Sequence, residues 1–167
     1  MKNFRDSVLS VSGFCVVLFL LAPTTLYAAG KHAADPDPLA LRADGKLEFH
    51  CPDRPASAVI RIEIADTPAA RARGLMGRMV KDDTEGMLFI FETPGVLNFW
   101  MRNTQGSLDM IFVGEDGQVR NIAERTTPLS DQTYSSAGAV SYVVEVRGGL
   151  ARRFGINDSC RIRWQHH

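Results

Sequence analysis

Val59-Ile60-Arg61-Ile62-Glu63-Ile64-Ala65 is the stretch on which the fold turns. Ile60, Ile62 and Ile64 face one way, and Arg61 and Glu63 face the other. That is the period-2 pattern of a half-buried strand. Asp66-Thr67-Pro68 follows as a helix start, with Thr67 as cap and Pro68 at the first helical position. The helix is predicted over 69–76, with Gly77 able to end it. Working outward, 86–91, 96–102 and 108–113 are apolar, aromatic and β-branched runs of strand length. Glu115-Asp116-Gly117-Gln118 reads as a hairpin turn, with Gly117 tolerating positive φ. Residues 119–124 pair back from it, 126–138 read as a polar surface loop, and 139–146 as another strand. Gly148-Gly149 introduces a helical turn through Phe154, and 160–164 form a closing strand. A short strand over 47–51 precedes them all. About eight short strands and two short helices predict a mainly β fold, an antiparallel β-sandwich or a partly closed barrel.

The N-terminus has a different character. Lys2 and Arg5 precede an almost wholly apolar run over 8–22, and Leu26-Tyr27-Ala28-Ala29 offers small residues for cleavage. This predicts a signal peptide over 1–28, since the run is shorter than the ~20 residues that span a bilayer. A flexible leader is expected over 29–44, containing Asp35-Pro36-Asp37-Pro38, and one domain over 45–167. The expected location is periplasmic or secreted, with no membrane span after cleavage. Formal net charge is zero, which gives no electrostatic case for nucleic acid. Cleavage removes Cys15 and leaves Cys51 and Cys160. In an oxidising compartment an even count reads as a disulfide, and two buried thiols are the alternative.

Several segments in order carry a family resemblance. They are Arg73-Gly74-Leu75-Met76-Gly77-Arg78, Gly86-Met87-Leu88-Phe89-Ile90-Phe91, Phe99-Trp100-Met101-Arg102-Asn103-Thr104, Leu108-Asp109-Met110-Ile111-Phe112 and Tyr142-Val143-Val144-Glu145-Val146 before Gly148-Gly149. Their order and spacing resemble the domain of unknown function 192 family, over roughly 58–164. The resemblance implies a mainly β, sandwich-like fold and no established reaction. Arg102 stands where relatives often carry Lys, and Arg147 where a smaller or amide residue is common. Asn157-Asp158 replaces a usual Gly-Asp, and Asn is expected to keep a left-handed backbone role there.

No metal-ligand spacing, nucleophile elbow or phosphate loop occurs, so no cofactor is expected. What remains is polar residues inside apolar runs. Arg73, Trp100, Arg102, Asn103, Asp109 and Glu145 are the candidate ligand-binding set. Arg and an aromatic ring would hold an anion or sugar, and the carboxylates would fix its orientation. The competing reading is a structural Arg–carboxylate network, with Arg102 paired to Asp109 or Glu145. The leading functional expectation is a non-catalytic binding or accessory module acting on a small molecule or an envelope protein. An enzyme acting on a cell-envelope saccharide through Asp109 and Glu145 is the alternative. Copper binding by the methionines clustered over 76–110 is the third. Met87, Met101 and Met110 lie among apolar neighbours, as core fillers do.

Overall fold

The computed structural model describes residues 39–52, 54 and 58–167. The expected signal peptide and residues 29–38 of the leader lie outside them. Among the described residues there are nine strands and two short helices: β1 Gly45–His50, β2 Ala58–Ala65, α1 Pro68–Arg73, β3 Glu85–Gly95, β4 Asn98–Phe99, β5 Leu108–Val113, β6 Val119–Ala123, β7 Tyr134–Ser135, β8 Val140–Arg147, α2 Leu150–Phe154 and β9 Arg161–His166. Seven strands form one curled sheet in the order β6-β5-β8-β3-β2-β1-β9, and β4 and β7 pair separately. The sheet's two edges meet at one corner. Gln118 bridges Arg161, the Val119 N–H donates to the Cys160 carbonyl at 3.0 Å, and the Ile162 N–H to that of Gly117 at 2.8 Å. The barrel is therefore partly closed.

The sheet has two buried faces. The inner face draws apolar side chains from all seven strands, including Leu47, Ile60, Ile62, Leu88, Ile111, Val144 and Ile162, and α2 plugs it with Leu150 and Ala151. Alternate residues of the central strands point outward instead. Met87, Phe89, Met110, Phe112 and Val143 form a second cluster, covered by Leu75, Val80 and Met101. This is why 86–91 and 108–113 read as continuous apolar runs: strands buried on both faces lose their alternation. All six residues of β5 are buried.

Each departure from the sequence reading has a local cause. One strand pair, β2 with β3, is parallel. A parallel pair needs a crossover, and residues 66–84, carrying α1, supply it. Thr67 caps α1 by accepting from the Ala70 N–H at 3.2 Å. The helix ends at Gly74, three residues before Gly77. Gly74 has φ +47°, and a Cβ there would lie 3.4 Å from the Phe89 ring. Only Asn98–Phe99 of the expected strand over 96–102 pairs, and it pairs with β7 inside the expected loop. Asn157 is not left-handed. Its side chain accepts from Ser159 N–H and Oγ at 2.8 and 2.6 Å, so a side-chain turn replaces the backbone one. Asp44 bonds through its backbone to Ile62 and His167, and through its carboxylate to the Ile64 N–H. The 115–118 turn forms as read, with Gly117 at φ +79°. Cys51 and Cys160 are disulfide-bonded across the β1–β9 pair, 109 residues apart in sequence.

Candidate functional site

The outer face carries a groove of about 230 Å³. The end of α1 and the turn after it form one wall, Asn98-Phe99-Trp100 the other, and Phe89 and Phe91 of β3 lie between. The aromatic packing is ordered. Phe99 sits edge-on to Phe89, Phe91 and Phe112, with ring centroids 5.0, 6.4 and 6.1 Å away. Such pairs add stability beyond their buried area and fix ring positions.

Glu145 lies at the bottom. It sits on β8 opposite Met87 on one side and Met110 on the other. It is 4% exposed and lines the groove. No hydrogen bond or ion pair holds it among the described residues. Burial pushes its carboxyl up to about 8, against the pull of the Arg78 charge. At neutral pH it is a protonated acid, able to donate one hydrogen bond and accept others.

Arg78 does not discharge that group, because it is committed elsewhere. It donates to Glu63 through both terminal nitrogens, at 2.8 and 3.2 Å, and to the Gly74 carbonyl at 2.8 Å. Glu63 also accepts from the Arg42 backbone N–H at 2.8 Å and from its guanidinium at 3.0 Å. Burial pushes Glu63 up, but the bonds and charges of Arg78 and Arg42 outweigh it and hold the carboxyl below its ordinary value. Among the described residues the buried Arg78 Nε has no partner. Arg71 is also engaged: it stacks over Phe91 at 5.0 Å and donates to the carbonyls of Asp66 and Ile90. Arg73 is exposed at the groove mouth, and its guanidinium makes no hydrogen bond or ion pair among the described residues.

The six sequence candidates divide. Arg73, Trp100 and Glu145 line the groove. Arg102 does not pair with Asp109 or Glu145. It stacks on Trp100 at 4.5 Å and bonds Asp131 at 2.7 Å, on the exposed surface. The chain turns at 101–104, so Arg102 leaves the sheet before it can reach either carboxylate. Asn103 is exposed at φ +57°, with its amide 4.0 Å from the Met76 sulfur. Asp109 faces the other side of the sheet, since it alternates with Met110 and Leu108. It is fully buried and accepts from the backbone N–H groups of Arg125, Gly149 and Ala151 at 2.7–2.9 Å. Asp109 and Glu145 therefore cannot share a substrate. Arg147 is outside the groove, 3.7 Å from Asp83. Met87, Met101 and Met110 are core, whereas Met79 is 46% exposed. Among the described residues no group of three or more His, Cys, Asp or Glu converges.

Sequence reasoning missed Glu63 and Arg78. Alternation put Glu63 on the solvent face with Arg61, and Arg61 is indeed exposed. The signal available was a carboxylate inside an isoleucine run, the same signal that singled out Asp109 and Glu145.

The family's sequence profile matches residues 51–164, so the whole groove lies inside it. The chain belongs to the DUF192 family. That family is described as "Uncharacterized ACR". Two solved structures resemble this DUF192 chain. One is a protein from Sinorhizobium meliloti 1021, provisionally assigned as a transcription regulator. It is 30% identical at a TM-score of 0.70, over 75% of this chain and 96% of that one. The other, from Novosphingobium aromaticivorans DSM 12444, is of unknown function. It is 38% identical at a TM-score of 0.70, over 77% of this chain and 90% of the other. No match is found among curated proteins.

Proposed function

We propose that this DUF192 protein is an exported, non-catalytic binding module that holds a small molecule in the groove between α1 and β4. The observation that carries this reading is Glu145, a buried acid whose carboxyl has no partner among the described residues and lines an open, aromatic-walled groove. Its carboxyl is open to the groove, where a ligand can bond it directly. The volume is below the ~300–1,000 Å³ of drug-sized sites, so the ligand is small. A two-carboxylate mechanism has no support, because Asp109 is on the other face. Export is supported by the basic-then-apolar N-terminus and by the disulfide. No helix of the described residues is long and apolar enough to cross a membrane. The regulator assignment of the Sinorhizobium relative is not carried over, since a net charge of zero supplies no attraction for a phosphate backbone.

The test is a thermal-shift screen of the purified protein against a metabolite panel, repeated on Ala72→Trp. Ala72 is exposed and lines the groove, so the indole blocks the site without entering the core. The expected result is a stabilising ligand whose effect disappears in the variant. Stabilisation that survives Ala72→Trp, or none from any metabolite, rejects the groove as a binding site.

A further inference from the structure

We infer that the groove takes a zwitterion: a small molecule whose protonated amine meets Glu145 at the floor and whose carboxylate meets Arg73 at the mouth, with an apolar body against the phenylalanine rings. This rests on the groove reading above and names its ligand class.

The argument is a charge balance. The charge that acts on Glu145 is that of Arg78, from the turn after α1, and Arg71 and Arg73, at the end of α1, line the same groove. Strands β3 and β4 contribute only Phe89, Phe91, Asn98 and Phe99 to the lining, none of them titratable. Arg78 is neutralised by Glu63 at 2.8 Å. Arg71 is tied to backbone carbonyls at the rim. An ionised Glu145 thus has no paired cation among the described residues, since no ion pair joins it to Arg73 or Arg78, and a ligand ammonium would supply one. The walls favour the same choice, because ring faces carry negative quadrupole density and attract cations. At the mouth the sign reverses. Among the described residues the Arg73 guanidinium is a cation without an anion, and a guanidinium fork matches a carboxylate bidentately. An unpaired carboxyl and an unpaired guanidinium lining one small groove beside aromatic rings describe an apolar amino acid, with its side chain against the rings, better than a sugar or a simple anion. Binding displaces the Glu145 proton to solvent, since the acid must ionise to pair with the ammonium.

The experiment is calorimetric titration at pH 7 in phosphate and in Tris, whose different ionisation enthalpies report proton release. The probes are L-phenylalanine, L-leucine, phenethylamine, 3-phenylpropionate and glucose. The amino acids are expected to bind with release of close to one proton. Glu145→Gln should weaken them by roughly tenfold or more and abolish proton release. Arg73→Gln should weaken the amino acids and 3-phenylpropionate while sparing phenethylamine. Melting curves check that both variants fold. Glucose or 3-phenylpropionate binding in preference to the amino acids, lost in Ala72→Trp, keeps the groove and overturns the zwitterion. Amino-acid binding that ignores Glu145→Gln, or releases no proton, also overturns it. So does failure of every probe at millimolar concentration, whereas the groove itself is judged by the metabolite panel.

Discussion

Asp109 and Glu145 are both buried carboxyl groups on neighbouring strands of one sheet, and they do opposite things. Asp109 is on the inner side. It accepts backbone N–H groups from the 125 segment and from the entry to α2, tying the helical plug to the barrel. Glu145 is on the outer side, between two methionines, and among the described residues its carboxyl makes no hydrogen bond or ion pair. The inner face pairs its carboxylate with its own chain, and the outer face leaves one carboxyl unpaired among the described residues. The difference teaches that a carboxylate in an apolar strand reports burial, while its partners decide whether it is a staple or a site.

The largest expected effect is on the inner side. Replacing Cys51 and Cys160 together by Ala opens a loop of 109 residues, for which chain-entropy arguments give about 4–5 kcal/mol. Urea denaturation checks the loss, and an unchanged midpoint would refute it. The outer side should instead show a pH signature. The Glu145 carboxyl goes from 4.5 unfolded to about 8 folded. Between those values the native chain holds a proton that the unfolded chain has lost, so stability falls as pH rises. The slope is about 1.4 kcal/mol per pH unit, and it flattens above pH 8. Glu145→Gln should abolish it, matching the wild type near pH 4 and exceeding it at pH 8. Melting scans across that range test the sign, and a wild type that gains stability from pH 5 to 8 relative to the variant would break the comparison.

Asp109→Ala sharpens the contrast at one pH. It strands buried N–H groups at the start of α2 and should cost about 3 kcal/mol, with earlier hydrogen exchange at Gly149 and Ala151. Equal stability of Asp109→Ala and wild type would mean that water replaces the staple. The smallest effect is expected for Arg102→Met. Its pair with Asp131 is exposed on both sides, so the change should be under about 1 kcal/mol and weaken further with salt. A larger loss would show that Arg102 holds the β4–β7 excursion in place.

Much of this was legible in the chain itself. The isoleucine alternation of 59–65, the exact span of 108–113, the Thr67-Pro68 start and the Gly117 turn are local signals, and each survives because it depends on neighbours within a few residues. The strand over 96–102 misled because Leu97, Phe99 and Met101 pack into the outer cover, while Val96 and Trp100 are exposed. Phe99 packs on three rings and Met101 is fully buried without strand pairing. Period and composition report burial, and burial does not require a sheet.

Sequence alone therefore determined the mainly β class, the family, and the short list of polar residues in apolar runs, because patterning, motif order and residue type are properties of the chain. Only the tertiary structure decided which of those residues meet. The parallel β2–β3 crossover lays the end of α1 over the outer face, which buries Glu63, brings Arg78 to it, and opens the groove above Glu145. The turn at 101–104 sends Arg102 to Asp131 instead. Partners 15 to 40 residues apart are set by the path of the backbone through space, and no local pattern in the sequence carries that path.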